Sequence, residues 1–456
     1  MKKLKFLSIL AFSSTLCLFS CNPPDDIIIN DREEKIEEGA TEISMRMIDF
    51  EEWENRINID HRMDFNDNLT DGIQVTQRYI DKASFDDSIR GAYETGSVPD
   101  IYMVSYGNLY KEVQAGRAID MTQYFSDSVW NDLTDNAKEA VTYDDKYYAF
   151  PIVMEPSTII GYSKSKLAQY GNGATTIPTT WDGFLELCGT IKENLVKAGE
   201  RQVYPFGVPT GVACAWGTWG MQHAATGGLA ITDDWTTSRI TEPGYKQLAE
   251  VWAELYGNGY VPLSSSEYTE LIMDVCDGKA IMTTCGSWSI ASVMNQYPEQ
   301  VDDIGFAVMP TFDGNQNKTT ATNGGWCYVI SSECEDPEKA AEVIKFLTAE
   351  NTEETVDYFA RAHYSKSSPR KSVQAILNEK VIEQTEVPQE WFDVVNSVAN
   401  LAILEPIYSW DISVAVEGLL EEAAMGDDID DAVAKCDAEV KSIIQRENLA
   451  NNNPRA

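Results

Sequence analysis

Three histidines in 456 residues leave little room for imidazole chemistry. His61, His223 and His363 show no HExxH or other metal-ligand spacing. Neither a GxSxG elbow nor a Walker loop occurs. Basic residues are also scarce: 35 Lys and Arg stand against 73 Asp and Glu, a formal net charge of −38. That deficit argues against nucleic acid, which selects basic patches, and against broad adhesion to anionic lipid. No CxxC pair is found. Beyond Cys21 the cysteines are Cys188, Cys214, Cys276, Cys285, Cys327, Cys334 and Cys436, an odd number, so no disulfide framework is expected. These thiols read as small core residues. Past residue 20 no apolar run is long enough to span a bilayer. Paired carboxylates can signal glycoside hydrolysis, but among 73 acids they occur by chance. No enzyme is expected, and no cofactor or metal is implied.

What is present begins at the N-terminus. Lys2, Lys3 and Lys5 precede an apolar stretch from Phe6 to Phe19, the pattern of a signal peptide over residues 1–20. Leu18-Phe19-Ser20-Cys21 resembles the bacterial lipobox, in which Cys21 would carry the lipid; Phe19 is larger than the residue usual there. Residues 21–40 hold Pro23, Pro24 and many acids and read as a flexible tether. The remaining length suits two or three domains with an ordinary apolar content of 43%. Residues 447–456 are expected to be a disordered tail.

Ile43, Met45 and Met47 alternate with polar neighbours and predict a strand. Ile73, Val75 and Tyr79 predict a second. Phe85, Ile89, Ala92 and Tyr93 have helical spacing, closed by Gly96 and Pro99, and Asp100–Val104 reads as a buried strand. Strand, helix, strand implies a parallel sheet. Farther on, Thr179 or Thr180 can cap a helix with the stripe Phe184, Leu187, Cys188, Ile191 and Leu195. Tyr245, Leu248, Val251, Trp252 and Leu255 make another, and Asp336-Pro337 opens a third.

Five ordered segments carry a family resemblance. They are Gly96-Ser97-Val98-Pro99-Asp100-Ile101; Tyr147 to Glu155 followed by Ile160-Gly161-Tyr162-Ser163-Lys164; Asp277 to Met282 with Gly286-Ser287-Trp288; Gly305 to Gly314 with Gly324-Gly325-Trp326; and Ser368-Pro369-Arg370. Together they resemble the extracellular solute-binding proteins of ABC importers, the class that includes maltose-binding protein. The resemblance implies an α/β, two-lobed periplasmic-binding-protein-like fold. Each lobe would be a mostly parallel sheet flanked by helices, with a hinge crossed several times. Its matches place one lobe at 41–153 plus 309–363 and the other at 157–305 plus 366–446. It further implies a monomeric lipoprotein outside the cytoplasm that touches the membrane only through its anchor. Its ligand would be a small-molecule carbohydrate, passed to the transmembrane permease subunits of the importer.

A sugar offers hydroxyls and apolar C–H faces, so a binder needs planar aromatics and polar groups. The resemblance points to Trp288, Trp216, Trp219, Trp326 and Trp410 as cleft aromatics and to Glu155 as a ligand-contacting carboxylate. Gly324-Gly325 would let the backbone approach the ligand. Ligands of parallel sheets lie outside the carboxyl ends of the strands, which adds Glu51, Glu52 and Trp53 after the first strand and Tyr106, Gly107 and Asn108 after the third. Arg370 would hold a carboxylate across the cleft or a structural ion pair. Trp181 and Trp252 read as core. A receptor for another small solute such as a polyamine, or a ligand-sensing surface lipoprotein or adhesin, stays open, since fold does not fix function.

Overall fold

The computed structural model describes residues 36–68 and 72–454; the signal peptide, Cys21 and most of the tether lie outside the described residues. Strand β1 (Thr41–Asp49) is followed by the helix Glu52–Asn68, β2 (Ile73–Asp81), the helix Phe85–Thr95 and β3 (Ile101–Ser105). β1 pairs in parallel with both β2 and β3, as the strand–helix–strand pattern predicts. The hairpin β4 (Thr142–Tyr143) and β5 (Lys146–Tyr147) leads into β6 (Phe150–Pro156). Four strands then build a second sheet: β7 (Ile159–Ser163), β8 (Tyr204–Gly207), β9 (Ala280–Cys285) and β10 (Ile304–Ala307), in the order β10-β7-β9-β8. β11 (Thr322–Ile330) returns to the first sheet, antiparallel to β3 and β6, and β12 (Ile403–Leu404) joins its edge. The first sheet has the order β12-β11-β3-β1-β2, with β6 also on β11.

The second sheet is mixed. β8 runs parallel to β9, but β7 is antiparallel to both its neighbours. β7 enters directly from β6 of the first sheet, with no helix between the two strands.

Helices begin and end where side chains satisfy their loose backbone groups. Thr180 accepts from the Gly183 N–H, and Gly199 closes that helix at φ +84°. The stripe Phe184, Leu187, Cys188, Ile191 and Leu195 is buried throughout, and each large apolar member contributes about 1.5–3 kcal/mol. Asp336 likewise accepts from the Lys339 N–H with Pro337 in the first turn. Trp181 and Trp252 are core residues, each 2% exposed.

Packing shifts two of the expected boundaries. Met309 sits in the core of the second lobe and Thr311 bridges Thr180, so the chain crosses near Thr322 rather than at 309. Ser367 pairs with Met154, and Val373 and Leu377 belong to the core of the first lobe. The next crossing therefore follows the helix Lys371–Glu383, and Val387 and Trp391 enter the second lobe's core. β12 then touches the first sheet again inside the stretch assigned to the second lobe. The tail is also corrected. Leu449 is buried, and the Tyr110 hydroxyl donates to the Asn452 carbonyl at 2.8 Å, so residues 447–454 are docked. No helix among the described residues is long and apolar enough to cross a membrane.

Candidate functional site

A cavity of about 570 Å³ lies between the two sheets, inside the roughly 300–1,000 Å³ of small-molecule sites. The first lobe supplies the residues at and just past the ends of its parallel strands: Asp49, Phe50 and Glu51 at the end of β1, Asp81 and Lys82 at the end of β2, Ser105, Gly107 and Asn108 at the end of β3. This is where side chains can leave a parallel sheet without disturbing its ladder. β6 contributes Glu155 and β11 contributes Gly324, Gly325 and Trp326. The second lobe supplies Trp216, Tyr268 and Trp288.

Three aromatic groups face the space. Trp216 and Trp288 stack with centroids 5.9 Å apart and planes 11° from parallel. Tyr268 stands edge-on to both, at 5.0 and 5.6 Å. The Nε1–H of Trp288 has no hydrogen-bond partner among the described residues. Opposite, Trp326 meets Phe50 edge-on at 5.2 Å, and Trp53 donates to Glu51 Oε2 at 2.7 Å. The third group pairs Trp219 with Trp410 at 5.8 Å, Trp219 donating to Ser413 Oγ.

Charged groups are set among these rings. Lys366 is buried and pairs with Glu54 at 2.6 Å and Glu155 at 2.9 Å. Burial alone would lower its pKa; Glu155 and Glu54 outweigh it and hold the ammonium well above its usual value. Lys82 points its ammonium over Trp216 at 4.9 Å and Trp326 at 5.8 Å. Burial lowers its pKa, against the pull of Glu155, Glu267 and Glu405. Glu405 accepts from Trp216 Nε1 at 2.8 Å and from the Gly107 N–H at 3.3 Å. Its burial pushes the carboxyl up to about 7 even against those two bonds. Glu51 reaches the second lobe, accepting from Ser292 at 2.7 Å and Gln296 at 2.6 Å, and burial raises its pKa too.

Of the residues singled out from the sequence, Trp53, Glu155, Trp216, Trp219, Trp288, Trp326 and Trp410 line this cavity, as do Glu51, Gly107 and Asn108. Glu52 does not, because it begins the helix Glu52–Asn68 on its exposed side. Tyr106 is 2% exposed; its hydroxyl donates to the Val153 carbonyl and its ring backs Gly325 from inside the lobe. Arg370 faces away from the cleft and pairs with Asp132 at 3.1 Å while donating to the Thr348 carbonyl. The paired glycines also work differently from the expectation. A Cβ on Gly324 would collide with the Glu405 carboxylate, and one on Gly325 with the Val153 carbonyl, so protein fills the space they leave.

Lys82, Lys366, Glu54, Tyr268 and Glu405 were not legible beforehand. The strand-end rule that found Trp53 also reaches Lys82. Nothing local marks Glu405, which lies 298 positions along the chain from Gly107. Among the described residues no group of three or more His, Cys, Asp or Glu could hold a metal.

A family model described as bacterial extracellular solute-binding protein matches residues 64–389. The chain belongs to that family. Membership places this solute-binding protein outside the cytoplasm and among binders rather than enzymes. The multiple sugar-binding protein of Streptococcus mutans is 24% identical over 271 residues, 56% of this chain and 59% of that one. The chain spans between 43% and 61% of the curated relatives it matches. Among solved structures, a Thermotoga lettingae ABC transporter solute-binding protein bound with α-D-tagatose aligns at TM-score 0.75 and 17% identity, covering 89% of this chain and all of that one. The GacH receptor of Streptomyces glaucescens, solved unliganded and with acarbose, aligns at TM-score 0.74 and 14% identity over 89% of this chain and 99% of that one. These likenesses show the two-lobed fold.

Proposed function

We propose that this solute-binding protein captures a carbohydrate, an oligosaccharide rather than a single sugar, between its lobes and delivers it to the permease of an ABC importer. One observation carries the reading: aromatic side chains from both lobes, a stacked pair on one side and an edge-on pair on the other, flank a single cavity whose lining also holds many carboxylates. Trp216 and Trp288 offer a platform on one side and Trp326 and Trp53 on the other. Carboxylates such as Glu155 accept from sugar hydroxyls, and an analogue lacking a hydroxyl strands its partner. The Trp219–Trp410 pair gives a further apolar surface in the same cavity, which favours several linked rings. The proteins named for α-D-tagatose, acarbose and multiple sugars are consistent with this class. The same reading includes a lipid on Cys21 as the membrane tether and a monomeric receptor.

A thermal-shift screen of mono- and oligosaccharides tests it. A binder at 100 times its Kd adds about 2.7 kcal/mol to native stability, enough to raise the melting temperature by several degrees. A second reading, polyamine capture, is favoured by the seat of Lys82, since a slot that holds one ammonium between Trp216 and Trp326 suits another. Putrescine and spermidine belong in the same screen. Stabilisation by polyamines and by no sugar would replace the first reading with the second.

A further inference from the structure

Glu405 stands where the two lobes and the cavity meet. It directly follows β12, whose pairing with β11 makes it part of the first lobe. The side chain is buried, with the residue only 5% exposed. One carboxylate oxygen takes the indole N–H of Trp216 from the second lobe, and the other takes the backbone N–H of Gly107 from the first. Gly324 supplies the notch, because any side chain there would occupy the carboxylate's place. Gly107 is tight as well: a Cβ there would sit 3.4 Å from Glu405 Oε2.

We propose that Glu405 is a positioning residue for solute capture, fixing the Trp216 ring against the floor of the first lobe. The assignment rests on the reading of this cavity as the solute site. Trp216 packs edge-on to Tyr268 and face-on to Trp288, contacts that constrain its plane but allow it to slide. The Nε1 bond is directional and pins one edge of the ring. Trp288 stacks on Trp216, so the anchor sets both platforms. Because Glu405 and Trp216 lie on opposite lobes, the bond exists only while the cleft has this width.

The carboxylate form suits this role and the acid form does not. Two donors face the two oxygens, and a proton on either oxygen makes that oxygen a weaker, uncharged acceptor for its N–H. The charged groups acting on Glu405 are Glu155 from β6 and Lys82 after β2; Glu155 raises its pKa and Lys82 lowers it. With the carboxyl titrating at about 7, the Trp216 anchor strengthens as pH rises through neutrality.

The test needs no ligand. The protein labelled with 15N tryptophan shows indole signals, and the Trp216 signal is identified by its loss in Trp216→Phe. In the wild type this signal should move with pH around a midpoint near 7, while that of Trp219, bonded to Ser413, stays put. Glu405→Gln should abolish the movement. If that variant fails to fold, Gly324→Ala displaces the same carboxylate and should also abolish it. A Trp216 signal that is flat from pH 5.5 to 8.5 in the wild type, or that titrates unchanged in either variant, overturns the proposal. Since no sugar is present, neither result depends on whether sugar is the solute.

Discussion

Replacing Lys366 with Met tests how the floor of the cleft is held together. The Lys366 side chain is 2% exposed, and its two carboxylate partners, Glu54 and Glu155, are 7% and 9% exposed. The Tyr358 hydroxyl donates to the same Glu54 oxygen at 2.5 Å. Met keeps most of the volume of the lysine stem, so little of the effect comes from a cavity. What remains is two buried carboxylates with no cation between them. Removing one partner of a buried pair costs about 3–5 kcal/mol. With a urea slope of about 3 kcal/mol per molar, the unfolding midpoint should fall by about 1 M or more. The ammonium is held above its ordinary value of 10.5. Its stabilisation is therefore complete below that pH and lost only as pH rises through the folded value, so the deficit of the Lys366→Met variant should be constant between pH 7 and 9. Urea unfolding followed by tryptophan fluorescence and by circular dichroism measures it. Adding Glu54→Gln and Glu155→Gln should recover most of the loss, because neither former partner of Lys366 then carries a charge. A midpoint for Lys366→Met equal to wild type, or no recovery in the triple variant, would refute the argument.

Three further outcomes follow from the geometry. Trp288→Ala removes a platform ring; it should cost about 2 kcal/mol of binding, roughly 30-fold, for whichever screened sugar stabilises the protein, read by titration calorimetry, and it should also lower the melting temperature, because the ring is 6% exposed and packs with Tyr268 and Leu271. Gly325→Ala puts a side chain at φ +138° and into the Val153 carbonyl; a strained position of this kind costs about 1–3 kcal/mol, read as a lower melting temperature. The thiols of Cys188 through Cys436 are free, six of the seven are buried, and burial raises the pKa of each. The six buried thiols should resist a thiol reagent at pH 8 in the native protein, leaving only half-exposed Cys334 open to it, and all seven should react in concentrated guanidinium; loss of reactivity in guanidinium without reductant would show disulfides instead.

The secondary structure was legible where one face of an element meets a core. The stripe from Phe184 to Leu195 and the alternation in β1 need only local periodicity. The strand-end rule then found part of the first lobe's side of the cavity: Glu51, Trp53, Gly107 and Asn108. It failed at Tyr106, because a strand end fixes where a residue sits and not which way its ring turns; the Val153 carbonyl drew this ring inward. It failed at Glu52 because the helix begins there and turns the side chain to solvent. Arg370 was ambiguous in sequence, and Asp132, which decides it, lies far away along the chain. Glu405 shows the limit most plainly. Its partners Gly107, Trp216 and Gly324 come from three distant segments, and no spacing connects them. The tail misled because polar, asparagine-rich residues look unstructured until Tyr110 and Leu449 reveal their docking.

The interleaved strand order has a consequence for how the protein is made. β11 lies between β3 and β12 in the first sheet, so Ile101 pairs with Ile330 and Thr322 with Ile403. A chain emerging from its N-terminus holds β1, β2 and β3 early but lacks the strand that covers the open side of β3. Closing such distant pairs is slow and cannot start before the late segments exist. The first lobe therefore stays incomplete until nearly the whole chain has been delivered. For a protein that works outside the cytoplasm, this late closure keeps the polypeptide threadable during export.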